Sequence, residues 1–282
     1  MIELSTGVKM KDSDFRRIKE YIENEVGIKL PYIKKTMVES RLNKRRNAVG
    51  VQTFNEYLDH VFAPGVGKVE LINMIDAVTT NKTDFFREPE HFHFLTTQVL
   101  PSYADKNNLK YIKLWSAGCS TGEEAYTTCM VLNDYLRSHP SFHYNILATD
   151  ISTEVLRKGM NAVYSMERVA KIPLETKKRY LLKSKDKTKN TVRIIPELRK
   201  KVTFQQLNFM DDYYDISYKF DVVFCRNVLI YFNKPTQEKV IRKISRKIKT
   251  GGYLFLGHSE TIIDMKLPLK QLGPTIFQKI DA

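Results

Sequence analysis

Apolar residues recur along the first eighty positions at steps of three and four, the period of helices with one buried face. Phe15, Ile18, Ile22 and Val26 form one such stripe; Asp12 or Ser13 can cap its start and Gly27 can end it. A second stretch, residues 34–48, ends at Gly50, and a third, residues 52–63, sets Phe54, Tyr57, Leu58 and Val61 on one face. A Pro-Gly-Val-Gly run at 64–67 breaks the chain, and residues 69–78 read as a fourth helix. No strand alternation interrupts this pattern. A small all-helical domain is therefore predicted over residues 1–75, followed by a linker over 76–92.

Beyond about residue 110 the pattern changes to short apolar runs separated by amphipathic segments. Residues 111–116 predict a strand, 123–136 a helix, and 145–149 a second strand that ends in Asp150, with a helix starting at Glu154. Residues 202–206, 220–225, 252–256 and 275–279 predict further strands, and 234–249 an amphipathic helix. Strands alternating with helices predict a doubly wound, mostly parallel α/β sheet over residues 93–282. Leu181-Leu182 and residues 192–195 flank a turn rich in Lys, Asp and Asn, which predicts an inserted β-hairpin near 178–202.

Composition narrows the class. With 282 residues, 42% of them hydrophobic, the chain can bury a core without a disulfide or metal staple. Cys119, Cys129 and Cys225 lie far apart, so neither a zinc ribbon nor a disulfide framework is expected, and a reducing compartment fits. No apolar run approaches the ~18–20 residues of a membrane span. The first fifteen residues hold acidic side chains and no apolar signal stretch, so a soluble cytoplasmic protein is expected. The net charge of +14 calls for an anionic partner: nucleic acid, a membrane surface or an acidic protein. The excess concentrates in residues 177–201, at +9, and residues 234–249, at +6. Runs of this kind are as often solvated faces as binding surfaces.

Candidate chemistry gathers where strands end. The first strand runs into WSAGCSTGEE at 115–124, where Gly118 and Gly122 at a strand-to-helix turn let a ligand approach the backbone. The run is neither GxGxxG nor a P-loop, and Glu123 and Glu124 at a helix start would repel phosphate and suit a cationic or zwitterionic ligand. Asp150 stands at the tip of the second strand, where an acidic side chain can take both ribose hydroxyls; the rival reading makes Asp150 or Ser152 a helix cap. An adenosyl ligand without phosphates fits this combination, and S-adenosylmethionine is the common one. Asn208 ends the third strand and can read an adenine edge; Arg226 and Asn227 follow the apolar fourth strand at the ligand-binding edge of such sheets.

Taken in order, TTNKTDFFRE at 79–88, WSAGCSTGEE, ATDIS at 148–152, FDVVFCRNVLIYF at 220–232 and GGYLFLGHSE at 251–260 resemble the chemotaxis receptor glutamate methyltransferases, the CheR family. The resemblance spans nearly the whole chain. It implies a class I methyltransferase fold, S-adenosylmethionine as cofactor with S-adenosylhomocysteine as product, and the cytoplasmic domains of methyl-accepting receptors as partners. A monomer that meets the membrane only through its receptors is expected. By resemblance the cofactor residues are Asn81, Thr83, Arg87, Glu123, Asp150, Asn208, Phe209, Arg226 and Asn227, and Arg87 and Tyr231 stand beside the transferred methyl. Arg41, Lys44, Arg45 and Arg46 match the receptor-facing charges of the helical domain. The turn at 183–190 lacks the glycine of relatives that tether to a receptor pentapeptide, so no such tether is expected.

The implied reaction needs neither metal nor nucleophilic side chain, because a glutamate with a pKa near ~4.3 is already ionised at neutral pH. Two other readings stay open: a nucleic-acid methyltransferase, which the charge favours, and a non-catalytic sensor of the cofactor. Against the first, Arg226-Asn227 is not the Asn-Pro-Pro-Tyr type of tetrad that grips a flipped base, and no nucleic acid is expected as partner. Against the second, Arg87, Asp150 and Tyr231 are all present.

Overall fold

The computed structural model describes residues 8–65, 67–79, 81–107, 111–140, 142–186 and 188–281. Helix α1 (Asp12–Tyr21) buries Phe15 and Ile18, then widens into a π turn over Ile22–Val26 that Gly27, at φ +75°, brings to an end. Because α1 begins at Asp12, neither Asp12 nor Ser13 is its cap; the Asp14 carboxylate accepts the Lys11 N–H instead, at 3.2 Å. Helix α2 (Lys35–Val49) stops at Gly50, φ +83°. Helix α3 (Phe54–Val61) starts on a capping box: Thr53 accepts the Glu56 N–H at 3.2 Å and Glu56 accepts the Thr53 N–H at 3.3 Å. Helix α4 (Lys68–Val78) completes the set.

The charges of α2 turn out to be partly internal. Arg46 is buried, and its Nη1 donates to the carbonyls of Val51 and Gln52, both at 2.8 Å. Arg45 forks onto Glu70, with Nε 2.9 Å from Oε1 and Nη2 2.5 Å from Oε2, and the buried Glu70 also accepts from the Tyr57 hydroxyl at 2.8 Å. Arg41 reaches the carbonyls of Ala77, Val78 and Thr79 at the end of α4. Of the four residues expected on one outward basic surface, Lys44 alone is exposed. A run of charge in a sequence does not say which guanidinium is spent on its own domain's carbonyls.

The second part begins with helix α5 (Pro89–Phe94), a π turn over Leu95–Val99 and helix α6 (Leu100–Asn107), for which the apolar pattern predicted no element. Then follow β1 (Tyr111–Ala117), α7 (Glu123–Leu136), β2 (His143–Asp150), α8 (Thr153–Asn161), β3 (Val163–Ser165), α9 (Leu174–Tyr180), β4 (Leu181–Lys183), β5 (Thr191–Ile194), α10 (Pro196–Arg199), β6 (Val202–Gln206), β7 (Phe220–Cys225), α11 (Lys234–Arg246), β8 (Ile248–Leu256), β9 (Leu269–Gly273) and β10 (Ile276–Lys279). Among the described residues, seven strands make one sheet in the order β6-β2-β1-β7-β8-β10-β9. The first five are parallel, and β10 runs antiparallel to both β8 and β9. Every residue of β7 is buried, as its unbroken apolar run requires. The chain moves outward from β1 to β2 on one side and returns to β7 on the other, so the carboxyl ends of β1 and β7 form the switch point where such sheets bind ligands.

The predicted hairpin is present as β4–β5, and β3 extends it into a three-stranded antiparallel sheet ordered β3-β5-β4. Its glycine-free turn is organised by Asp186, whose carboxylate accepts the Thr188 N–H at 3.0 Å and is held below the ordinary carboxylate pKa by the Thr188 hydroxyl and N–H. Lys187 of that turn and Thr80 of the linker lie outside the described residues. Two compact units result: Met1–Thr80 with Tyr231–Asn233, and Asn81–Ile230 with Lys234–Ala282. Among the described residues no helix is long and apolar enough to cross a membrane.

Substituting Arg46→Ala removes charge-assisted bonds to two carbonyls and is expected to cost about 2 kcal/mol. Lys44→Ala, on the same helix but exposed, should change stability by less than about 0.5 kcal/mol. Urea unfolding of the whole chain measures both; equal midpoints would show that Arg46 holds nothing together.

Candidate active site

The β1–α7 turn is fixed to β2 by its backbone. The N–H groups of Gly118 and Cys119 both donate to the Thr149 carbonyl at 2.8 Å. Gly118 has φ +85°, and a Cβ there would lie 2.4 Å from Val228 Cγ2, so the position admits only glycine. The Ser120 N–H donates to Asp150 Oδ2 at 2.9 Å, and the Ser152 N–H to Asp150 Oδ1 at 3.0 Å. Ser152 is the cap of α8, accepting the Val155 N–H on its own hydroxyl. The cap therefore falls to Ser152, and Asp150 remains at the strand tip with 8% of its surface exposed. The Ser120 hydroxyl donates to the Asn81 carbonyl at 3.0 Å, which ties the linker to the same turn.

Two carboxylates open α7, where the positive end of the helix dipole favours them. Glu123, only 1% exposed, accepts from Arg168 Nη2 at 2.5 Å and from the Thr121 hydroxyl at 2.6 Å. Arg168 also lies 3.6 Å from Asp84 in the linker. Glu124 accepts from the Ser116 hydroxyl at 2.6 Å and from Arg226 Nε at 2.8 Å.

Arg226 is a buried junction. Beyond Glu124, its Nη1 meets His91 Nδ1 at 3.1 Å and its Nη2 donates to the Arg87 carbonyl at 2.7 Å. Its guanidinium carbon stands 5.3 Å from the centre of the Phe92 ring. Three of its nitrogens are thus bound inside the protein, whereas the sequence placed it facing a ligand. His91 is engaged on its other nitrogen by the Thr275 hydroxyl at 3.0 Å, and burial, reinforced by Arg226, pulls its pKa down to about 4. Glu88, His91 and His258 bring possible ligand atoms within 4.8 Å of one another. Both ring nitrogens of His91 are occupied as described, and His258 pairs with Glu90.

The linker docks by its aromatics. Phe85 is buried edge-on against Tyr164, with ring centres 4.9 Å apart, and the Phe86 N–H donates to Thr127 at 3.1 Å. Phe86 and Glu88 both adopt φ +53°, an uncommon conformation for such residues and one that collects at functional sites. Between them Arg87 is half-buried, its Nη1 3.3 Å from the Lys82 carbonyl; Asn81 and Thr83 are also half-buried. After β6, the Asn208 carboxamide oxygen accepts the Met210 N–H at 3.0 Å, and the Phe209 carbonyl accepts from Lys243 Nζ at 2.7 Å. After β7, Asn227 sits at φ +59°. Tyr231 belongs to the first compact unit, where its carbonyl accepts the Lys29 N–H at 2.8 Å and its ring centre lies 5.9 Å from Lys34 Nζ.

The carboxyl edge therefore assembles Asn81, Asp150 and Ser120 in one hydrogen-bonded group and Arg87, Glu124, His91 and Arg226 in another. Sequence reasoning gave no role to Arg168, His91 or Glu260. Their partners are 45, 135 and 33 positions away, respectively, so no local pattern shows these contacts, although Glu260 closes the GGYLFLGHSE motif. A glycine turn without a phosphate cradle, an acidic strand tip and buried carboxylates at α7 fit a zwitterionic adenosyl ligand.

Residues 81–277 match the family described as "CheR methyltransferase, SAM binding domain", and residues 13–79 match "CheR methyltransferase, all-alpha domain". The chemotaxis protein methyltransferase of Borreliella burgdorferi is 36% identical over 98% of this chain and 98% of its own length. Those of Salmonella typhimurium and Escherichia coli are 34% and 33% identical, each over 98% of this chain and over 93% and 94% of their own lengths.

A buried neutral His91 makes stability depend on pH. Its pKa of about 4 lies below the ordinary 6.5, so the unfolded chain binds the extra proton between those values and stability falls as pH drops through them. Between about pH 7.5 and about pH 5 this amounts to about 2 kcal/mol. His91→Gln should lose that part of the acid sensitivity, as melting temperatures of both proteins across the range will show; parallel profiles would contradict a neutral, buried His91.

Proposed function

We propose that this chain, which belongs to the CheR methyltransferase family, holds its cofactor over the carboxyl edge of β1, β2 and β7 and works through alignment rather than through acid–base chemistry. The protein is an S-adenosylmethionine-dependent methyltransferase of chemotaxis that acts on protein glutamate. The observation that carries the reading of the site is Asp150: a buried carboxylate at the tip of β2, pre-oriented by two backbone N–H bonds and joined through Ser120 to the linker.

When bound, S-adenosylmethionine supplies a methyl made electrophilic by its sulfonium. Asp150 takes the ribose hydroxyls, Asn208 and Phe209 the adenine side, and Glu123 the amino group. Asn81, Thr83 and Asn227 supply further polar contacts. Arg226 acts through others: its bond to the Arg87 carbonyl sets the linker, so it is a positioning residue. Arg87 and Tyr231 serve the methyl transfer itself. An ionised glutamate needs no general base at pH 7, and a guanidinium suits a carboxylate that must be held in line with its target.

The receptor is the anionic partner that the +14 charge calls for. Lys44 on α2 and Lys183, Lys185 and Lys189 on the small sheet are exposed and form its electrostatic contacts. Arg41, Arg45 and Arg46 shape the surface from within. The Asp186-organised turn docks no pentapeptide. The enzyme works as a cytoplasmic monomer.

Asp150→Ala should keep its fold and bind S-adenosylhomocysteine more weakly by about 2–3 kcal/mol, roughly 30- to 150-fold. Calorimetry showing wild-type affinity in a folded variant would remove Asp150 from the site. Arg87→Ala and Tyr231→Phe should lower kcat by roughly 100-fold while product affinity stays within about threefold, the signature of an interaction made in the transition state. Wild-type turnover in either would end that residue's catalytic assignment. Reversing the exposed lysines to Glu should slow receptor methylation and flatten its salt dependence; a rate indifferent to both moves recognition elsewhere.

A further inference from the structure

We propose that Glu260 is a positioning residue for methyl transfer, its carboxylate holding the loop after β7 in the shape that presents Asn227 to the cofactor crevice. The inference rests on the reading of Asn227 as a cofactor contact.

The loop at 226–229 lies between a buried strand and a short 3-10 turn over Leu229–Tyr231. Three successive N–H groups in it point at one side chain. Asn227 N–H donates to Glu260 Oε2 at 2.9 Å, and Val228 and Leu229 N–H donate to Oε1 at 2.8 and 2.7 Å. A fourth donor, Gly257 N–H, reaches Oε2 at 2.6 Å. Two donors per oxygen match the roughly four lone-pair sites of a carboxylate. Glu260 is 6% exposed, so these backbone dipoles stand where water would otherwise solvate the anion. Burial raises its pKa, and the same four N–H bonds oppose that rise.

The clamp closes from a second side. Glu260 is presented by a tight turn after β8, its own N–H donating to the Gly257 carbonyl at 2.9 Å. A Cβ on Gly257 would lie 2.5 Å from Asn227 Nδ2 and 2.8 Å from Asn227 N, so the glycine leaves Asn227 no slack. Asn227 itself sits at φ +59°, the left-handed region that asparagine tolerates better than other side chains. A glutamine at 260 would set an NH2 group against N–H donors on one oxygen's side. An aspartate falls one methylene short of the loop.

The test is a double-mutant cycle on the full-length protein, reading the dissociation constant for S-adenosylhomocysteine and the melting temperature. Glu260→Gln and Asn227→Ala should each weaken binding at least tenfold. Their combination should be no weaker than the worse single variant, because both act through Asn227. A role confined to stability would instead lower the melting temperature and leave affinity, or give losses that multiply. Gly257→Ala, which pushes on Asn227 without removing charge, should weaken binding at least tenfold and likewise be non-additive with Asn227→Ala; it decides the matter should Glu260→Gln not fold. A folded Glu260→Gln with wild-type affinity, beside a weakened Asn227→Ala, overturns this inference alone. A silent Asn227→Ala overturns the assignment of Asn227 and the inference with it.

Discussion

The guanidinium of Arg226 is the fixed point of the carboxyl edge. A buried cation is tolerable only when paired, and removing one partner of such a pair typically costs about 3–5 kcal/mol. Here Glu124 supplies the opposite charge, while the Arg87 carbonyl and His91 take the remaining nitrogens. The three partners come from α7, the linker and α5, so a single side chain at the end of β7 sets where those elements meet. His91 must then stay neutral, because a proton on the nitrogen facing Arg226 would put two cations at hydrogen-bond distance.

Around that point two loops at the carboxyl edge are held by carboxylates that collect backbone N–H groups. Asp150 takes those of Ser120 and Ser152, and Glu260 takes those of Asn227, Val228, Leu229 and Gly257. In each case a side chain from another segment adds bonds to those the loop's own backbone makes. This suits the reaction. A sulfonium already makes the methyl reactive and the glutamate is already charged, so the protein's contribution lies in distance, direction and exclusion of water. Loops that are irregular yet pinned can offer polar groups at exact angles without the turn of a strand or helix dictating them.

Much of this was legible in the chain. The buried run FDVVFC, the glycine turn and the acidic end of β2 marked the parallel sheet and the loops at its carboxyl edge, and their order carried the family resemblance. What escaped has physical reasons. Strand β3 spans three residues and β9 alternates weakly, with exposed positions at its centre, so neither shows a period-two pattern. Helices α5 and α6 adjoin a π turn that shifts the period their apolar residues would otherwise display. Arg46 reads as surface charge and Arg226 as a ligand contact, because sequence reports charge and not burial. Glu260 sits in a motif that was visible, but its role depends on a loop 33 residues earlier.

The central claim is that this protein esterifies glutamate carboxylates of a receptor. The most direct measurement transfers tritiated methyl from S-adenosylmethionine to receptor-bearing membranes and, in parallel, to RNA, then treats the products with mild alkali. Methyl esters hydrolyse there and release volatile methanol, whereas methyl groups on nitrogen or on bases do not. The account predicts label in the receptor that becomes volatile in alkali and none in RNA. Alkali-stable label, or incorporation into RNA instead, would contradict it.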